Sequence, residues 1–211
     1  MKKWWIAIGL LCVFALWTAA VCFVDVSPIG PNGSTVGFAT LNGWFHRLTG
    51  VHMSLYAITD WLGLVPVAVC LAFAVLGLCQ WMNRKSIAKV DGDLLLMGVF
   101  YVLTIAVYLL FEMVVVNYRP VLIEGVLEVS YPSSTTLLVL CVMLVSLVWL
   151  RRRTAPRWIA VVIVLFIAFM VLCRLISGVH WLTDILGGGL LGGGLTMTYA
   201  AACDLLQKGE R

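Results

Sequence analysis

WLGLVPVAVCLAFAVLGLCQWM, from Trp61 to Met82, holds no charged side chain in 22 residues and runs directly into Asn83-Arg84-Lys85. At 1.5 Å per residue, a helix needs about 20 apolar residues to cross a bilayer's hydrocarbon core. The stretch lacks the alternation of a barrel strand, so its backbone hydrogen bonds must close within a helix. Five further runs read the same way: Trp4 to Val24, Leu94 to Val116, Ser134 to Leu150, Trp158 to Leu175 and Ile185 to Leu206. The expected fold is all-α, a polytopic bundle of six transmembrane helices in a single membrane-embedded domain spanning residues 1–211.

Composition supports this. Hydrophobic residues make up 63% and charged residues 11% of the 211, against roughly 45–50% and about 25% in a soluble globular chain. No soluble core of this size buries so much apolar surface, and a disordered chain would show the opposite balance. A net charge of +4 is too small and too scattered for a nucleic-acid surface. The seven cysteines show no CxxC or Cys/His spacing and read as small side chains within the membrane, with no metal site and no cofactor implied.

Placement of the cations orients the bundle. Eleven of the fourteen, Lys2, Lys3, Arg84, Lys85, Lys89, Arg151, Arg152, Arg153, Arg157, Lys208 and Arg211, fall on one side of the six spans. By the positive-inside rule that side is cytoplasmic, both termini included, in a multi-pass protein of the cell membrane. Span one also admits a signal-peptide reading, with Thr18-Ala19-Ala20 as a weak cleavage site. Its apolar region is long for one, so an uncleaved anchor is expected. The long outer loop, Asp25 to Asp60, opens rich in Pro, Gly and Asn and continues as NGWFHRLTGVHMSLY, an amphipathic segment for the outer interface. Gly187-Gly188-Gly189 and Gly192-Gly193-Gly194 in span six imply close helix packing rather than a nucleotide loop.

Only Arg47, Arg119 and Arg174 remain for the outer side. The last two belong to polar clusters at span ends. One is Glu112-Met-Val-Val-Val-Asn117-Tyr118-Arg119-Pro120, another Ser130-Tyr131-Pro132-Ser133-Ser134-Thr135-Thr136. The third is Cys173-Arg174-Leu-Ile-Ser177-Gly178-Val-His180-Trp-Leu-Thr183-Asp184. The topology sets all three at one depth. Two guanidiniums, Ser and Thr hydroxyls and the N–H groups opening span four would make an anion cradle. His180 and Asp184 stand i, i+4, so on a helix the carboxylate would fix the imidazole tautomer and free the other nitrogen to attack. Positioning and charge neutralisation are what phosphoryl transfer chiefly requires.

These residues resemble the membrane-bound type-2 phosphatidic acid phosphatase superfamily, whose pattern is Lys-x6-Arg-Pro, then Pro-Ser-Gly-His, then Ser-Arg-x5-His-x3-Asp. Arg119-Pro120, Pro132-Ser133, Arg174, His180 and Asp184 match it at the expected spacings. The resemblance implies a metal-independent, cofactor-free phosphatase for a phosphorylated lipid, working outside the cytoplasm through a phosphohistidine. His180 would be the nucleophile and Asp184 its partner. Arg119, Arg174, Ser133, Ser134 and Thr135 would bind the phosphoryl group, and Glu112 is a candidate accessory residue.

Three positions depart from the pattern. Glu112 stands where the family has Lys; seven residues before Arg119, it would on a continuous helix share that face and be placed to hold Arg119 or another cation. Cys173 replaces Ser. Thr135 replaces the His that protonates the leaving group, which a hydroxyl cannot do at ordinary pH. A site without its acid should favour a good leaving group, and polyprenyl (undecaprenyl) diphosphate expels a phosphate with a second pKa of about 6. Alternatively His46, His52 or Glu112 restores the acid. Another reading is an impaired member that binds phosphorylated lipid without hydrolysis; a transporter is disfavoured because intramembrane charge is sparse.

Overall fold

The computed structural model describes the backbone of residues 1–209 and side chains up to residue 207. Arg211 and the Lys208 side chain, counted among the cations above, lie outside the described residues. The described residues form eight α-helices: α1 (Lys2–Phe23), α2 (Ala39–Thr49), α3 (Met53–Leu62), α4 (Leu64–Arg84), α5 (Gly92–Met113), α6 (Ser134–Arg152), α7 (Arg157–Ile176) and α8 (Leu182–Gly209). Among the described residues six runs are long and apolar enough to cross a membrane, with α3 and α4 together forming one of them. The protein is a multi-pass membrane helix bundle.

Most span bounds shift from expectation, and two of the shifts bear on the site. The second span begins at Met53, because α3 continues into α4 through a break at Gly63, whose N–H bonds to the Thr59 and Asp60 carbonyls. The third ends at Met113 instead of Val116; Val114 to Ser133 then forms a narrow hairpin. The outer loop is also more ordered than one amphipathic segment, since Gly50 to His52 divides it into α2 and the start of α3. Asn42 of α2 is buried and donates to Thr183 Oγ1 at 3.0 Å while accepting from Thr183 N at 3.3 Å. A buried amide is retained when its hydrogen bonds are met, and this one docks α2 on the start of α8.

Helix α8 is the axis. Of its span 61% is buried within the bundle and of α6 50%, against at most 22% of any other. Its glycines permit this, as expected: a Cβ on Gly188 would meet Ser133 O at 3.0 Å, and one on Gly194 would meet Leu11 at 2.8 Å. Backbones can thus approach where lipid supplies no hydrophobic drive for helix association. Phe14, Leu94, Met97, Leu137, Leu195 and Tyr199 fill the space around it. The perimeter is apolar, with Trp5, Leu16, Leu71, Val102 and Leu165 all exposed, as lipid-facing positions should be.

The helix ends rich in cations are held by ion pairs. Lys3 meets Asp204 at 2.7 Å, Arg153 meets Asp93 at 2.7 Å, Arg84 meets Asp91 at 2.9 Å, and Arg152 also pairs with Asp204. Both ends of the described chain therefore lie at one end of the bundle. The polar clusters lie at the other.

Candidate active site

The hairpin after α5 aligns side chains that sequence spacing does not. Tyr118 and Val129 pair as an antiparallel bridge; Arg119 N donates to Glu128 O and Ser130 N to Asn117 O, both at 2.9 Å. Asn117 thus stands beside Ser130, and Arg119 beside Glu128. Two residues after the hairpin's Tyr131, Ser133 caps α6 by accepting from Thr136 N at 3.4 Å. Its own N–H donates to Asp184 O at 3.0 Å, fastening the start of α6 to the start of α8.

The turn from α7 to α8 carries His180. Gly178 there has φ +69°, and a Cβ on it would lie 2.0 Å from Gly50 O, so only glycine fits. Asp184 is completely buried. Its Oδ2 accepts from Ser130 Oγ at 2.5 Å and Trp181 N at 2.9 Å, and its Oδ1 from Asn117 Nδ2 at 3.2 Å. His180 Nδ1 lies 3.0 Å from Ser130 Oγ but 3.9 Å from Asp184 Oδ2. The expected direct His–Asp bond on a shared helix face is therefore replaced. Helix α8 starts only at Leu182, so His180 sits in the preceding turn and a serine stands between the two. Burial pushes the His180 pKa down to about 4, against the pull of Asp184 and with the help of the Arg119 and Arg174 charges. The ring is neutral at pH 7.

Both arginines flank one aromatic ring. The Arg174 guanidinium carbon is 4.5 Å from the Tyr56 ring centroid and that of Arg119 is 5.8 Å away. Arg174 is 1% exposed; Nη1 donates to Thr59 Oγ1 at 3.0 Å and Nη2 lies 3.7 Å from Asp60 Oδ1. Tyr56, Thr59 and Asp60 are spaced i, i+3, i+4, so one face of α3 receives this side chain. Arg119 Nε pairs with Glu128 Oε2 at 3.0 Å. Arg119 Nη1, Arg174 Nε and His180 Nε2 are all buried without a hydrogen-bond partner among the described residues. Buried polar groups are rarely left so; both guanidinium charges act on the His180 ring, which makes the three groups candidates to bind one anion.

The remaining sequence candidates lie as follows. Ser133 is committed to its cap. Ser134 and Thr135 are half-buried and line, with Thr104, Tyr108 and Leu138, a crevice of about 240 Å³ between α5 and α6. Glu112 is exposed and makes no ion pair among the described residues; the carboxylate on Arg119 is Glu128. His46 Nε2 lies 3.1 Å from Gly178 O and His52 Nε2 2.8 Å from Thr49 O, so both imidazoles hold loop backbone. Sequence reasoning missed Tyr56, Thr59, Asp60 and Glu128, and assigned no role to Asn117 or Ser130. The i, i+3, i+4 polar face of α3 was a usable signal; for Ser130 there was none. Among the described residues no three His, Cys, Asp or Glu side chains gather as a metal site.

Comparison with known proteins bears on this arrangement. Residues 100–204 match the model of the PAP2 superfamily. The fold is similar to the crystal structure of a transmembrane PAP2-type phosphatidylglycerolphosphate phosphatase from Bacillus subtilis, with TM-score 0.65, 17% identity and 97% of each chain covered. A search of curated protein sequences returned no match.

Proposed function

Because the chain belongs to the PAP2 superfamily, we propose that it is an integral-membrane phosphatase that cleaves a phosphorylated lipid at the hairpin end of the bundle, facing away from the cytoplasm. The observation that carries this is the trio of unpartnered buried atoms on Arg119, Arg174 and His180. The orientation rests on the cation distribution, whose lysines and arginines cluster at the opposite end.

On this reading His180 Nε2 attacks phosphorus and the P–O bond to the lipid breaks, leaving a phosphohistidine. Arg119 and Arg174 bind the equatorial oxygens where negative charge is spread. The α6 N-terminus, at Ser134 and Thr135, adds N–H donors and a favourable dipole, with Ser133 holding that terminus against α8. Asp184 stabilises the imidazolium as it forms. Water then attacks phosphorus, the P–N bond breaks, and inorganic phosphate leaves from a site again holding neutral His180.

The substrate preference follows from Thr135. With a hydroxyl at the family's acid position, an alkoxide leaving group lacks a proton donor, whereas a lipid diphosphate expels a lipid monophosphate that leaves as an anion. Polyprenyl diphosphate is the proposed substrate class. The test is phosphate release by purified protein from undecaprenyl diphosphate and from phosphatidic acid, with and without EDTA. Faster diphosphate turnover, insensitive to EDTA and abolished in His180→Ala, is expected. Faster phosphatidic acid turnover defeats the substrate assignment, and a wild-type protein that binds lipid phosphate without releasing it establishes the non-hydrolysing reading instead.

A further inference from the structure

We infer that Ser130 is a positioning residue: its hydroxyl is the link through which Asp184 sets the tautomer and orientation of His180. The inference rests on the phosphatase reading for its consequence on rate, but the link itself follows from proton arithmetic. Nδ1 of His180 is 3.9 Å from the carboxylate, beyond hydrogen-bond range, whereas Ser130 Oγ lies 3.0 Å from Nδ1 and 2.5 Å from Asp184 Oδ2. A serine hydroxyl has one hydrogen to give. Were it given to His180, two oxygen atoms would face each other across 2.5 Å with no proton between the serine and an ionised carboxylate.

Donation to Asp184 removes that conflict. The Ser130 lone pair then faces Nδ1, which must carry the ring proton, and Nε2 is left bare. Asp184 cannot reverse the order, because the Trp181 and Asn117 N–H groups already donate to it. Both satisfied contacts therefore select one tautomer, the one a nucleophilic Nε2 requires.

The hydroxyl is also fixed in place. Ser130 is 2% exposed and its backbone N–H is bonded to Asn117 O across the hairpin. Asn117 in turn holds the other oxygen of Asp184. One arm of this hairpin thus carries Arg119 toward the anion while the other carries the group that orients the nucleophile. As Nε2 gains a phosphoryl group the ring becomes cationic, and the charge of Asp184 reaches it through a polarised hydroxyl.

The chain has three histidines, so ¹⁵N-histidine NMR of the full-length protein in nanodiscs can resolve His180, assigned by loss of its signals in His180→Gln. Wild type should show the Nδ1–H tautomer at pH 7. Ser130→Ala should show mixed tautomers and a kcat lower by roughly 10- to 100-fold with KM little changed. Ser130→Thr, which keeps the hydroxyl, should recover both. Should Ser130→Ala fail to fold, the near-isosteric Ser130→Cys, a weak donor, is read by the same two criteria. A hydroxyl-deleted variant retaining the wild-type tautomer and kcat overturns the inference. If wild type releases no phosphate but the tautomer shift appears, the link stands and the phosphatase reading falls.

Discussion

Replacing Tyr56 by leucine removes an aromatic face that Arg119 and Arg174, the proposed phosphate clamp, share. A cation over an aromatic face gains about 0.5 kcal/mol when exposed and about 2 kcal/mol when desolvated, within roughly 6 Å of the centroid. Arg174, 1% exposed and 4.5 Å from the ring, belongs at the upper end; Arg119, at 5.8 Å, belongs at the lower. Together they give about 2–2.5 kcal/mol, or roughly 30- to 70-fold in kcat/KM at 1.36 kcal/mol per decade. Without the ring, two like charges must be regathered for each substrate, so the loss should fall mainly on KM. Phosphate release across a range of lipid concentrations at fixed ionic strength measures it, with thermal melting to verify the fold. Tyr56→Phe keeps the face and should match wild type. A Tyr56→Leu rate within experimental error of wild type, or a phenylalanine variant as impaired as the leucine one, refutes the reasoning.

Two further outcomes follow from His180 and Thr135. The His180 pKa is depressed to about 4 from an ordinary value of 6.5, so the unfolded chain binds a proton in that interval that the native protein excludes. The His180 contribution to stability should be constant above pH 6.5 and be lost as pH falls from 6.5 toward 4, so that His180→Gln flattens that part of the decline in thermal melts. A native protein with the same pH dependence as the variant contradicts the burial of a neutral ring. Thr135→His places an imidazole in the lining of the crevice of about 240 Å³; phosphatidic acid turnover should rise at least tenfold relative to diphosphate turnover. An unchanged ratio would mean that the leaving group does not reach that crevice.

The bundle was legible because membrane spans announce themselves locally: length, apolarity and flanking cations suffice to find them. Even so, the boundary at Trp61 was missed, since the polar residues Tyr56, Thr59 and Asp60 break the apolar run although they sit on a helix that continues it. Arg119, Arg174, His180 and Asp184 were nameable from spacing. Their actual partners were not. Asn117 and Ser130 meet only because the hairpin's register sets them opposite each other, and Glu128 displaces Glu112 as the counter-charge of Arg119 for the same reason. The i, i+4 argument for His180 and Asp184 failed at a definable point: it assumed helix where Gly178, at positive φ, turns the chain.

Each clamp arginine keeps a carboxylate on its wetter flank, Glu128 at 39% side-chain exposure and Asp60 at 63%. On the phosphatase reading, the incoming oxygens take the unpartnered Arg119 Nη1 and Arg174 Nε while the carboxylates stay on other atoms of the same guanidiniums, so the headgroup meets charges already partly neutralised. Such slack docking reserves tight complementarity for the pentacoordinate phosphorus, and the resident carboxylates weaken the hold on the spent anion.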